Sequence, residues 1–501
     1  MAGIGFELKR LFSKKGLLAG IRAYGYAGMI CTGPMLLGVV LLLGVMYLSD
    51  RAGTSRHSRE LLLSMITYAL LASLTVTSFF TMITTRYTAD MIFLNQLSAI
   101  MPSFYGSLGI MFGLGGTLYA VFLFFAGIPF AYQLLSFVFF IVLLVVWTEI
   151  TYLTAIKDYR NILLAFAVSL TLAFLTGYLL VTFTSIDSVI SLFLSVILGY
   201  GNMAVWYFIL LYRYFPEGFG TSMNFLRWVE KYPSLVFCGA FVTFGLFGHL
   251  LIMYASPLSV RIQGLFFGAP EHDVAALTAF FSILITTVNF VTSVEVRFYP
   301  QYRNYFSLFN DNGNIGDIET TETSMIRILR DELTYLGYKQ VFTTIIFIII
   351  GTLLLPRTSL GFNSLMLGMF RVLCAGYAFY AIGNSIMLIL LYFADNRGAF
   401  WVTASFAVLT NLASVLILFT DSRFYGFGFL IGSAVFCVFA YIRLDWYIKK
   451  IKYHILCEQP IFAKACEGNL THLCDRLQLR AERKQLSRKE YYEKRTGKVV
   501  E

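Results

Sequence analysis

Residues 1–34, MAGIGFELKRLFSKKGLLAGIRAYGYAGMICTGP, read as a short amphipathic helix that runs into a membrane span. At 100° per residue Ile4, Leu8, Leu11 and Phe12 share one face, with Lys9, Arg10 and Ser13 opposite. That pattern predicts a helix lying in a membrane interface over residues 1–23. Five basic residues (Lys9, Arg10, Lys14, Lys15 and Arg22) stand against one acid, Glu7, which predicts a cytoplasmic N-terminus. A cleaved signal peptide is the alternative, disfavoured by an apolar stretch of about 25 residues without a small-residue exit. Gly33 and Pro34 predict a kink or break in the first span, with a simple packing kink as the alternative.

The composition extends this reading to the whole chain. Of 501 residues 58% are apolar and 13% charged, and the mean hydropathy is +0.73. So few charges leave most of the chain in lipid and exclude a soluble multidomain protein. The net charge of +10 points to basic edges facing anionic lipid, not to nucleic acid. The seven cysteines form no framework. Cys31, Cys238, Cys374 and Cys437 lie in apolar segments, and Cys457, Cys466 and Cys474 in a basic tail expected to be cytoplasmic and reduced.

Twelve spans are expected, at about 24–48, 60–84, 104–127, 130–155, 162–184, 188–211, 233–255, 274–296, 340–356, 366–393, 400–420 and 425–446. With both termini inside, 31 of the 38 Lys and Arg residues fall on the cytoplasmic side. The exceptions are Arg51, Arg56, Arg59, Arg261, Arg357, Arg371 and Arg423. The chain thus divides into an interfacial helix (1–23), a first six-helix bundle (24–211), a cytoplasmic connector (212–232), a second six-helix bundle (233–446) and a basic tail (447–501). Within the second bundle the polar cytoplasmic loop 298–339 carries turn formers at 310–313. Ile318, Met325, Ile328, Leu329 and Leu336 predict an amphipathic helix over 318–338, either a connector or a docking site. The tail reads as a lipid-surface helix or a protein contact.

The halves look related. Span two exits through Arg86-Tyr87 and span eight through Arg297-Phe298; span four exits through Asp158-Tyr159-Arg160 and span ten through Asp395-Asn396-Arg397. Matching exits in the same order predict two like bundles with a cavity between them, a transporter architecture.

Catalytic motifs are missing: no Walker A sequence, no H-E-x-x-H and no nucleophile elbow occur, so no enzymatic activity or cofactor is expected. Polar residues inside the membrane are the stronger lead. Glu149 in span four and Arg371 in span ten are expected to face each other across the cavity, with a neutral, hydrogen-bonded acid as the alternative for Glu149. Glu295 and Arg297 point to different helix faces and suit an interface salt bridge. His249 could titrate, although a buried histidine donating to a backbone carbonyl is the commoner case. Asn202, Asn289, Asn384 and Asn411 are candidates for the path or for bonds between helices. Gly109/Gly113 and Gly428/Gly432 read as close helix packing. Tyr24, Tyr26, Tyr377 and Tyr380 could line a passage and stack on sugar rings. In the tail, His454, Cys457, Cys466, His472 and Cys474 lack the paired spacing of a zinc site, so no metal is expected.

The opening MAGIGFELKRLF, the RAYGYAG…GP entry to span one and the TRYTAD exit from span two resemble the PelG family, polytopic components of the Pel exopolysaccharide export machinery. The resemblance covers the whole chain. It implies an all-α, MOP/MATE-like fold of two six-helix bundles in the cytoplasmic membrane. It also implies a polysaccharide cargo rich in N-acetylgalactosamine and galactosamine, a cytosolic PelF-like glycosyltransferase, and PelD-like and PelE-like membrane partners. A flippase for lipid-linked oligosaccharide and a MATE-like cation or drug antiporter are the alternatives. The flippase would need a basic cavity and the antiporter buried acids that cycle protons.

Overall fold

The computed structural model describes residues 38–154, 159–215, 218, 222–310, 313–358, 361–457, 468–480 and 483. The interfacial helix expected at 1–23, and with it Tyr24, Tyr26, Gly33 and Pro34, lies outside these residues. Among the described residues eleven helices are long and apolar enough to cross a membrane, and they correspond to the second to twelfth expected spans. Of the first span, residues 38–51 are described and helical (α1).

The first half continues with α2 (Arg56–Phe93), α3 (Leu97–Phe125), α4 (Phe130–Leu153), α5 (Tyr159–Phe183) and α6 (Ser188–Tyr214). A short α7 (Leu226–Lys231) leads to α8 (Pro233–Met253), which starts on a proline in its first turn, where no N–H partner is lost. After α8 the chain forms a hairpin of β1 (Val260–Gln263) and β2 (Phe266–Gly268). Next come α9 (Pro270–Phe280), α10 (Leu284–Ser293), α11 (Tyr299–Asn310) and α12 (Ile315–Leu354). The helical part closes with α13 (Ser364–Tyr392), α14 (Asn396–Ile417), α15 (Phe427–Lys449), α16 (Ile451–Leu456) and a tail helix α17 at 469–480.

Two hydrophobic cores organise these helices. One runs from Leu41 to Leu235 and includes Phe266; the other runs from Cys238 to Ile451. Each is a lobe, and α8 packs on both α2 of the first lobe and α14 of the second. Helices alternate in direction, so the hairpin lies at one end of the molecule, and the connector with α7, α11, α16 and α17 lies at the other.

Several local expectations change. The segment 318–338 is not a separate helix in a loop: it is the first part of α12, which continues unbroken into the membrane. The predicted periodicity holds within it, with Met325, Leu329 and Leu336 buried in the second core. The expected packing step at Gly109/Gly113 is absent among the described residues, since a Cβ at either would meet none of them within 4 Å. Instead this stretch runs into a π-turn at Phe112–Gly116, and the close approach falls on Gly115 against Val76. Gly428 and Gly432 do sit in tight contact, a Cβ there coming within 2.4 Å of Ser414 and 2.0 Å of Thr410. A second π-turn, Val294–Phe298, surrounds Arg297, whose partner is Glu332 of α12 at 2.7 Å.

Asp395 opens α14 by accepting from the Gly398 N–H and forms two bonds, of 2.7 and 2.9 Å, with Arg443 of α15. The tail docks on the chain's own connector. Thr471 donates to Glu230 through both its N–H (2.9 Å) and its hydroxyl (2.6 Å), and Arg227 pairs with Asp475 at 2.6 Å. Cys474, fully buried, donates to the Met223 carbonyl. The Thr471 hydroxyl bond, foremost among its contacts, holds the Glu230 carboxyl below the usual range. A lowered value means that docking is favoured above the ordinary Glu pKa and is lost as pH falls through the depressed one. We therefore expect hydrogen-exchange protection of 469–480, corrected for intrinsic rate, to fall between neutral pH and about pH 3. Glu230→Gln should lower the protection and weaken its pH dependence, the Arg227–Asp475 pair keeping the rest; equal protection in both proteins would count against this role.

Candidate functional site

The seam between the lobes is built on α2, whose sequence TVTSFFTMITTRYT places hydroxyls at almost every turn. Inside a bilayer each hydroxyl needs a partner. Here Thr77, Thr81, Thr84, Thr85 and Thr88 donate to carbonyls one turn back, so the helix meets the seam with satisfied polar groups. Midway, Gly239 of α8 lies against the Ser78 carbonyl, with 2.2 Å between that oxygen and the place of a Cβ. One turn on, Phe79 and Phe244 meet edge to face.

At the connector end Trp228 donates its indole N–H to Asp90 at 2.8 Å, and Arg86 lies over the Tyr232 ring while pairing with Asp90. Burial pushes the Tyr302 hydroxyl of α11 up to about 12, with the Arg86 charge acting the other way. Both halves thus converge on Arg86. At the opposite end the hairpin crosses from the second half and inserts Phe266 into the first core.

The second lobe holds a polar seam of its own between α10 and α12. Gln340, fully buried, bonds Thr286 and Thr344; Lys339 donates to Asn289 at 3.1 Å; Glu332 accepts from Ser293 and Arg297. Toward the hairpin end His249 and His272 are each 1% exposed with ring centroids 5.4 Å apart. The Leu246 carbonyl stands beside the His249 ring, and the Asp273 carboxylate lies 4.0 Å from the His272 Nδ1.

The predicted residues are distributed over both lobes. Glu149 sits in the first core, 0% exposed, and its carboxylate oxygens have no hydrogen-bond partner among the described residues. Arg371 is an exposed residue of the second lobe that donates to Thr352 of α12 at 3.2 Å. The structure therefore does not bring the expected pair together; Arg371 is held by a neighbour in its own lobe. Tyr377 and Tyr380 do not line an open passage. They are 3% and 7% exposed, packed on Phe280 and Phe429 and on Phe406 and Phe436 respectively. Asn202 bonds Ser169, and Asn411 bonds the Phe244 carbonyl, so both join helices. Asn384 is half-buried on α13. His454 stacks on Tyr447.

Sequence reasoning missed the hydroxyl-rich α2, the hairpin and the second histidine of the pair. The first was legible in the Thr and Ser run itself. The hairpin had a signal in Val260 and Ile262 alternating with Arg261 and Gln263 before Gly264.

The chain matches the family model "PelG: Putative exopolysaccharide Exporter (EPS-E)" over residues 1–456. No curated protein matches it significantly. Among solved structures it is similar to the eukaryotic MATE transporter AtDTX14, at 11% identity and a TM-score of 0.56, covering 92% of this chain and 100% of that one. It is similar also to an outward-facing multidrug resistance MATE family transporter of the MOP superfamily (14%, 0.53, 85% and 96%). A third is a MOP superfamily transporter from Pyrococcus furiosus Vc1 (DSM3638) (15%, 0.51, 85% and 96%). Likeness at these identities establishes the fold.

Proposed function

The chain belongs to the PelG (EPS-E) family, and from that premise we propose that it moves a growing exopolysaccharide across the cytoplasmic membrane, between its two lobes. The observation that carries the reading is the division into two cores joined along α2 and α8, within a MATE-like fold whose likeness covers 92% of the chain. On this reading the chain has twelve spans with both termini cytoplasmic, supported by the 31 of 38 basic residues on that side. The polymer is of the Pel type, rich in N-acetylgalactosamine and galactosamine. It is made by a cytosolic PelF-like glycosyltransferase held near the connector, α11 and the exposed part of α12, with PelD-like and PelE-like membrane partners. The chain carries no chemistry of its own and acts as a path.

A second reading, cation antiport, draws on the buried Glu149 and on the His249–His272 pair, which lie toward opposite ends of the molecule. An unpaired buried charge is costly, so each could take up a proton in only some states. One assay separates the two. The protein is reconstituted with the glycosyltransferase and nucleotide sugar, and polymer is measured inside the vesicle. Lumenal polymer, lost when the protein is omitted, is expected; polymer confined to the synthase side would overturn the export reading.

A further inference from the structure

Of the eleven described spans α12 is the least covered by protein: 17% of its most apolar stretch is buried, against 33–67% in the others. Its apolar end is Leu354. Counting back about 30 Å of hydrocarbon at 1.5 Å per residue sets the connector-side edge of the bilayer core near residue 334. Just inside that edge a groove of about 480 Å³ opens between α12 and α13. Thr334, Tyr338, Val341, Phe342 and Ile345 form one wall, and Ile382 stands on the other. Gly337 keeps it open, since a Cβ there meets none of the described residues within 4 Å. Tyr338 is 74% exposed and Phe342 67%, so the groove faces out of the lobe.

The groove is apolar within and basic above. At about 100° per residue Arg327 shares a face with Thr334, Tyr338 and Ile345, and Arg330 stands one turn above Thr334 on the side of Gly337. Both arginines are exposed, and neither has an ion pair among the described residues. The charges around them are turned away or already used. Asp331 lies about 100° round the helix from Arg330, on the side away from Gly337. Glu332 holds Arg297, and Glu319, further up on the groove's side, is tied to Lys452 at 3.1 Å. Lys339 is turned to Asn289 of α10.

Going outward, the order is an apolar cleft, two hydroxyls at the hydrocarbon edge, then guanidinium groups. A phospholipid has the same order in acyl chain, ester and phosphate. A transmembrane helix of a partner fits less well: close helix approach needs a row of small residues, and along this wall Gly337 stands among Tyr338, Val341 and Phe342. We propose that the groove binds an anionic phospholipid of the connector-side leaflet, its acyl chain lying along Thr334–Ile345 against Ile382 and its phosphate held by Arg330 with Arg327 beside it.

The test uses the full chain in detergent, titrated with phosphatidylglycerol or with phosphatidylcholine of the same acyl chains, and bound lipid is counted by native mass spectrometry. Phosphatidylglycerol should be retained more tightly, by about fivefold for each arginine that meets the head group. Arg330→Gln should lower that preference about fivefold, and Arg327→Gln with it should abolish it. Raising the salt from about 0.05 to about 0.5 M should weaken phosphatidylglycerol and leave phosphatidylcholine unchanged. Gly337→Phe places a ring in open space, so the protein stays folded with an unchanged thermal midpoint while the preferred lipid is lost. Val408→Phe, on a 59% exposed position of α14, is the control and should keep it.

Equal retention of the two lipids by the unaltered protein would overturn the proposal. So would a preference that survives in folded Gly337→Phe, or one untouched by the double arginine change. No synthase or polymer is present, so none of these outcomes bears on the export reading.

Discussion

Arg443→Ala should be among the most destabilising single changes in the chain, at about 3–5 kcal/mol, because it strips the partner from a buried carboxylate. Asp395 has a side chain 5% exposed and receives two bonds from the Arg443 guanidinium, at 2.7 and 2.9 Å. It also takes the Gly398 N–H that starts α14, so one residue fixes both the turn and the packing of α14 against α15. The turn has no room to compensate: a Cβ on Gly398 would lie 2.0 Å from the carboxylate and 2.4 Å from the arginine. Arg443→Lys should recover only part of the loss, since an ammonium cannot span both oxygens as a guanidinium does. Asp395→Asn keeps an acceptor for the cap and should fall between. Thermal unfolding in detergent checks the order; an unchanged midpoint for Arg443→Ala would remove the pair from the account of stability.

The second large effect is expected at the lobe seam. Gly239→Leu places a side chain where the Ser78 carbonyl already stands 2.2 Å from an added Cβ, so α2 and α8 must separate. Overpacking of this kind costs about 1–3 kcal/mol in a core. Here the strain falls on the contact that joins two independent cores, so the lobes can yield by moving apart while each stays folded. The expected result is a monodisperse, folded protein with export reduced at least tenfold in the vesicle assay. Gly201→Ala, where a Cβ meets nothing within 4 Å, is the matched control and should leave export unchanged. Full export by Gly239→Leu would mean that the α2–α8 contact does not govern passage.

Much of the fold was legible because lipid imposes a simple rule: a span announces itself by length and apolarity. Eleven of the twelve expected spans reappear as helices, most with ends shifted by a few residues. The larger differences have physical causes. Leu336, Gln340 and Thr344 share a helical face, so no break separates the polar part of α12 from its apolar part. The hairpin is too short and mixed for hydropathy to register. The Glu149–Arg371 pairing relied on matching the two halves. Yet a long side chain is captured by the neighbour it reaches first, and for Arg371 that is Thr352, nineteen residues away. Tail docking could not be read, since Asp475 meets Arg227 across 248 positions and nothing local marks either residue. The histidine pair needed the fold too: His249 was singled out alone, and His272 joins it only because the hairpin returns the chain beside α8.

The forty residues of α12 have a consequence beyond packing. At 1.5 Å per residue the helix is about 60 Å long, roughly twice the hydrocarbon thickness it crosses. Near its polar end Glu319 and Glu322 are tied to Lys452, and further along Glu332 is tied to Arg297. A rod gripped at several points along its length turns as one body. A small tilt of the second lobe within the membrane would therefore arrive at the far tip as a displacement of several ångströms. Anything resting against that tip would sense which way the lobe leans without touching the passage itself.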